Sequence, residues 1–256
     1  MSKLTCIETY IDKNNNSYGS FLIEPLDVGQ GITLGNALRR TLLSDLSGYS
    51  VSGVRINDLK HEFASVEGVR EDILEIILNL KEIIFQASLK NENSKIKSFL
   101  NLKGPIIVTA GMLNLPQNFI KIINPNQYIC TVTDTSEFYL EIDIEKGKGY
   151  RLTDEIRKQQ RKEKVRKAKP STLLIDAIFM PIKKVNYKIK LIHDTKGNIK
   201  ESLMFEIFTN GSITPKRSLF EAIKILLNLI YPLLVTPNFL KVYVKKLNRK
   251  KIKKSS

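Results

Sequence analysis

The chain has 256 residues, 41 Lys+Arg against 26 Asp+Glu, two His, two Cys and no Trp. With 42% apolar residues it can bury a large core, which excludes a disordered chain and a small disulfide scaffold. Its formal charge of +15 sits in two basic segments, Arg157–Lys169 and Lys241–Ser256, so the rest of the sequence is electroneutral and does not read as a charged nucleic-acid-binding face.

Ser20–Ile23 reads as a short strand after a polar start, and Glu24 to Gly31 as a turn-rich connection. Thr33 is placed to cap a helix over Leu34–Leu46, with Gly48 to end it. Leu34, Ala37, Leu38, Thr41 and Leu42 form one apolar stripe on that helix, while Asn36, Arg40 and Leu43 share another flank. Val51–Ile56 alternates as a strand. Glu71 to Phe85 reads as a helix with Ile73, Ile76, Ile77, Leu80 and Ile84 inward and Glu71, Glu75, Asn79 and Glu82 outward. Ile106–Thr109 and Phe138–Ile144 are strands, and Gly147-Lys148-Gly149-Tyr150 breaks the pattern. After Pro170, the apolar run Leu173–Met180 ends at Pro181. The alternating segments Val185–Leu191 and Leu203–Ile207, with the turn Thr195-Lys196-Gly197-Asn198 between them, predict an antiparallel hairpin. Thr214 and Pro215 open a last helix, whose apolar residues cover more of its circumference than one core contact uses. Mixed strands and helices without a repeating βαβ series predict an α+β fold.

Little in the sequence reads as an active site. No apolar run reaches the about 18–20 residues that span a bilayer, and Met1–Tyr10 has the character of neither a signal nor a transit peptide. Cys6, Cys130, His61 and His193 lie far apart, whereas zinc gathers three or four such ligands, so no metal is expected. Neither G-x-S-x-G nor a P-loop occurs, and His61 beside Glu62 reads as a structural or interface histidine. The sharpest enzymatic signal is Gly29-Gln30-Gly31-Ile32-Thr33-Leu34-Gly35 at the start of a helix, which mimics a dinucleotide fingerprint. Its spacing is G-x-G-x-x-x-G and no parallel βαβ units accompany it; Gly35 sits within the helical stripe, where a small residue permits close packing. A nucleotide-dependent enzyme using this turn is one alternative, and a free-standing basic nucleic-acid binder is another.

Glu24-Pro-Leu, Thr33-Leu-Gly-Asn-Ala-Leu-Arg-Arg40, His61-Glu and Glu67-Gly-Val-Arg-Glu-Asp-Ile-Leu-Glu-Ile-Ile-Leu-Asn-Leu-Lys81 together resemble the α-subunit family of bacterial-type multisubunit RNA polymerases. Gly147-Lys-Gly-Tyr150, Ile175-Asp-Ala and Thr209-Asn-Gly-Ser-Ile-Thr-Pro215 agree in order and spacing. Phe179-Met-Pro-Ile182 and Phe205-Glu-Ile-Phe-Thr-Asn-Gly look most like plastid versions, and the Ile/Lys/Asn-rich composition suits an AT-rich organelle genome.

The resemblance implies a discontinuous dimerisation domain of antiparallel strands and two helices (1–47 and 181–236), an inserted α+β domain (48–180) and a basic tail (237–256). It implies no catalysis by this chain and no cofactor; RNA synthesis and Mg²⁺ belong to other subunits of the complex. It further implies a homodimer that serves as the platform for the β and β′ subunits (β′ and β″ in plastids), with a sigma factor reached only indirectly. DNA is touched within the holo-complex, weakly at most by this chain, and no membrane is involved. The implied dimer interface comprises Leu34, Leu38, Leu42, Phe220, Ile223, Leu227 and Ile230. Arg40, Leu43 and His61 would face β, and Lys81, Ile175 and Ile182 would lie toward β′. The implied compartment is the plastid, in plants the chloroplast. Many bacterial relatives continue into a helix-hairpin-helix domain that grips promoter DNA, and that property is not carried over to the 237–256 segment.

Overall fold

Strands from both ends of the sequence pair into one antiparallel sheet in the order β1 (Lys3–Ile11), β2 (Ser17–Leu26), β14 (Ile199–Thr209), β13 (Ile182–His193). The computed structural model describes residues 2–57, 59, 61, 63–87, 95–116, 119–154, 172–194 and 197–235. The hairpin between Val185 and Ile207 forms as its alternation predicts, with Tyr187 opposite Phe205 and Ile189 opposite Leu203. Helices α1 (Gln30–Ser44) and α3 (Pro215–Val235) pack on this sheet. Phe21, Leu38, Leu42, Leu203, Phe205 and Leu219 are among the buried side chains of the resulting core.

A second sheet has the order β11 (Leu173–Leu174), β3 (Ser47–Ile56), β9 (Glu137–Lys148), β5 (Lys95–Lys103). Phe138, Leu140, Ile142 and Ile144 of β9 are fully buried, as strict alternation in a half-buried strand requires. They meet Ile73, Ile76, Ile77 and Leu80 of α2 (Ile73–Lys81) in a second, separate hydrophobic core. Three short pairs complete the described chain: β4 (Phe85–Ala87) with β7 (Ile120–Ile122), β6 (Ile106–Thr109) with β8 (Tyr128–Val132), and β10 (Tyr150–Arg151) with β12 (Ala177–Ile178). The chain is thus α+β, mostly antiparallel strands with three helices among the described residues.

Several local expectations are corrected. The polar start is the edge strand β1, every residue of which is exposed; with no buried face, its alternation carries no core signal. The first helix begins four residues before Leu34, after Gly29 with φ 89°. Thr33 is not its cap, because its hydroxyl donates backwards to the Gly29 carbonyl at 3.1 Å. Gly48 lies inside β3, where a Cβ would approach the Phe179 carbonyl oxygen to 2.2 Å. The second helix is shorter than its apolar pattern, because the Asn124 side chain accepts from Ile84 N–H at 2.8 Å and donates to the Glu82 carbonyl at 3.0 Å. That pair of bonds turns the chain out of the helix and sends Ile83 and Phe85 into the core. Glu71, expected on the wet face, is buried.

Candidate assembly surfaces

The glycine turn before α1 is filled from within. Glu201 on β14 accepts from Gly29 N–H at 2.9 Å and from Gly31 N–H at 2.8 Å, so one buried carboxylate satisfies the donors a pyrophosphate would need. A Cβ on Gly31 would lie 2.6 Å from Glu201 Oε2. This overturns the nucleotide reading of Gly29–Gly35. Gly35 does serve close packing: a Cβ there would come within 2.8 Å of the Tyr187 ring. The Tyr187 hydroxyl donates to Asn36 Oδ1 at 2.9 Å, further fixing the helix on the sheet.

On α1, Leu38 and Leu42 are 1% and 0% exposed and belong to the chain's own core, with Leu34 half-buried against it. The apolar side chains of Leu38 and Leu42 are thus spent on packing against β13 and β14, while Leu34 stays partly exposed at the edge of that contact. Arg40 is exposed, and no ion pair among the described residues engages it; Leu43 is half-buried beside it along the helix. At the start of the same helix Ile32 is exposed.

The last helix divides along its length. Leu219 and Ala222 are buried, and Ile223, Ile225 and Leu226 are half-buried against the first core. Phe220, Leu227 and Ile230 are 65%, 61% and 53% exposed, joined by Leu229, Tyr231 and Leu233. From Leu227 onward the exposed apolar residues Leu227, Leu229, Ile230, Tyr231 and Leu233 spread over more than one side of the helix, with Asn228 on a polar side. Apolar surface this extensive on a helix is what an interface requires.

The remaining expected contact residues are scattered. His61 is exposed in the loop after β3, its carbonyl accepting from Ala64 N–H. Ile175 and Ile182 are 2% and 6% exposed, each buried in a different core, so neither side chain is free to meet a partner; their apolar character is spent on folding. Lys81 is half-buried, with Nζ 3.9 Å from Asp176 Oδ2. Asp176 also accepts from Thr153 N–H at 2.8 Å and its hydroxyl at 2.7 Å. The Thr153 bonds, with Lys81 nearby, hold the Asp176 carboxyl below its ordinary range. Exposed Leu74 and Leu78 lie two turns and one turn before Lys81, respectively. Their i, i+4, i+7 spacing with Lys81 is the signal in the sequence that places all three on one side of α2.

Among the described residues no group of three His, Cys, Asp or Glu could hold a metal ion, and no helix is long and apolar enough to cross a membrane. The basic segments 157–169 and 241–256 lie outside the described residues.

Two cores, one built from the sequence termini and one from its middle, define a composite chain, and residues 54–180 match the RNA polymerase Rpb3/RpoA insert domain. The class is therefore a subunit of the transcription machinery. Over 227 residues the chain is 44% identical to the DNA-directed RNA polymerase subunit alpha of Pyropia yezoensis, covering 89% of this chain and 69% of that protein. The subunits alpha of Rhodomonas salina and Cyanophora paradoxa are each 43% identical, over 90% of this chain and 70% and 69% of theirs. The chain belongs to the DNA-directed RNA polymerase alpha-subunit family.

Proposed function

We propose that the chain is the non-catalytic assembly subunit of a plastid DNA-dependent RNA polymerase. Two copies dimerise through the apolar surface of α3 beyond Phe220, together with the exposed flank of α1 near Ile32. The dimer then receives β on the side of Arg40, Leu43 and His61 and β′ near Lys81. Residues 1–47 and 181–236 form the dimerisation unit, 48–180 the insert, and 237–256 a tail attracted weakly to phosphate. The plastid assignment rests on the algal origin of the relatives at 43–44% identity.

The observation that carries this reading is the outer half of α3, whose Leu227, Leu229, Ile230, Tyr231 and Leu233 are all exposed. Burying a Leu or Ile fully stabilises by about 1.5–3 kcal/mol. Four Leu and Ile side chains and Tyr231 on each copy, each more than half exposed in the single chain, supply apolar burial on the scale of the association cost of about 4–15 kcal/mol. Arg40 suits a large-subunit contact because a desolvated guanidinium bonds a carboxylate or main-chain oxygens bidentately.

Native mass measurement of the chain alone and with β tests the proposal. The expected masses are a dimer and a dimer carrying one β. Arg40→Ala keeps the dimer and weakens capture of β; a monomeric wild-type chain, or one indifferent to β, refutes the reading.

A further inference from the structure

A cleft of about 350 Å³ opens between elements of the two cores. It lies at the C-terminal end of α1, where the chain passes into β3, and is bounded on the other side by α3 and the loop before it. Phe85, Ile213 and Ile225 give it apolar lining. Its cations come from two separate elements: Lys146 and Lys148 from β9, and Arg217 from the first turn of α3. Lys146 and Lys148 are two residues apart on a strand and therefore point to one face. All three are exposed, and none has an ion-pair partner among the described residues. Asp45 and Glu221 also line the cleft, so its balance is one positive charge.

The size sets the kind of occupant. The volume is at the low end of ligand sites, enough for one or two inserted side chains and too small for a folded element. Unpaired cations around a concavity concentrate positive potential and attract carboxylates. The cleft also continues a surface already described. Asp45, the C-cap of α1, lies five residues and about 7.5 Å along the axis from Arg40, a separation that one large partner seated on Arg40 spans easily.

We infer that the cleft receives an extended acidic segment of the large subunit that docks on Arg40. One apolar side chain inserts beside Phe85, and carboxylates pair with Lys146, Lys148 and Arg217. This rests on the proposed function and deepens it, adding a second, charge-selective anchor to the Arg40 contact. Charge pairs of this kind set partner choice and rate of capture.

The test uses the full chain co-expressed with β, measured by pull-down and native mass over a salt series. The variant Lys146→Glu/Lys148→Glu/Arg217→Glu should keep the dimer mass and melting temperature while losing about tenfold or more in β capture. Its capture should depend less on salt, and Lys146→Arg/Lys148→Arg should behave as wild type. Undiminished capture by the charge-reversed variant, while Arg40→Ala weakens it, overturns the cleft inference and leaves the assembly function standing. A wild-type chain that captures no β overturns both. Tight binding of ATP by the chain alone, abolished by the same charge reversal, makes the cleft a small-anion site and also overturns the inference.

Discussion

Glu201 and Gly31, 170 residues apart in sequence, meet at the N-terminus of α1, where the Glu201 carboxylate accepts the Gly31 N–H at 2.8 Å. The same carboxylate takes the Gly29 N–H, while Lys200 reaches Asp27 in the turn and Ser202 donates to Glu24 at 2.7 Å. Strand β14 thereby caps a helix that its own sequence leaves uncapped, because no side chain at Gly29 can do so. Losing a cap costs about 0.5–2 kcal/mol, and stranding buried donors adds to that. Glu201→Ala should therefore lower stability by about 1–2 kcal/mol, read as a lower urea midpoint at fixed protein concentration, with Glu201→Gln losing less because one acceptor remains. An unshifted midpoint for Glu201→Ala would show that the clamp contributes nothing.

The two apolar helices should separate folding from association. Leu42 is fully buried in the first core, so Leu42→Ala leaves a cavity costing about 2–5 kcal/mol. Leu227 and Ile230 are mostly exposed in the single chain. Leu227→Asp or Ile230→Asp should leave secondary structure intact by circular dichroism and yield monomers by sedimentation velocity. A dimer that survives both substitutions would remove α3 from the interface.

Which parts of this structure a sequence can reveal follows from how local their causes are. Phe138, Leu140, Ile142 and Ile144 alternate because one face of β9 is buried, and Thr214-Pro215 starts α3 through its own chemistry: Arg217 N–H points to the Thr214 hydroxyl at 3.4 Å. The end of α2 is set instead by Asn124, some 40 residues away, and the start of α1 by Glu201. Leu38 and Leu42 were legible as apolar helix residues, but an amphipathic pattern does not say whether the buried face meets its own chain or another. Ile175 and Ile182 raise the same ambiguity. The exposed half of α3 was legible because its apolar residues exceed what one core contact can cover.

The two cysteines should react differently. Cys130 is fully buried on β8, and burial, reinforced by the nearby Glu71 charge, pushes its thiol pKa up to about 12. The thiolate is the reactive form, so Cys130 is protected twice, by access and by protonation. Cys6 is exposed on β1. Iodoacetamide at pH 8 should label Cys6 alone in the native chain and both cysteines in urea, as read by peptide mass. Native labelling of Cys130 at a rate like that of Cys6 would contradict the burial of β8.

Acid should loosen the insert through Glu71. Burial by itself raises the Glu71 pKa, but the Tyr128 hydroxyl and the Thr131 N–H (2.7 Å) donate to its carboxylate, and Arg70 lies beside it at 3.0 Å. These outweigh burial and hold the carboxyl below the ordinary value of 4.5. A group whose folded pKa is depressed contributes stability above its unfolded pKa and loses it as pH falls through the folded value. Glu145, held down against burial by Arg151 and Lys95, and Asp176 act with the same sign. Stability should therefore be flat from pH 7 to about pH 5 and fall below it. Glu71→Gln should be less stable than wild type at pH 7, because the amide bonds Thr131 and Tyr128 less strongly, yet lose less on acidification. Urea midpoints at pH 7, 5, 4 and 3 distinguish the two chains. Parallel pH profiles for wild type and Glu71→Gln would mean that Glu71 titrates alike in the folded and unfolded chain, and that its bonds from the segment before α2 to β8 carry no linked proton.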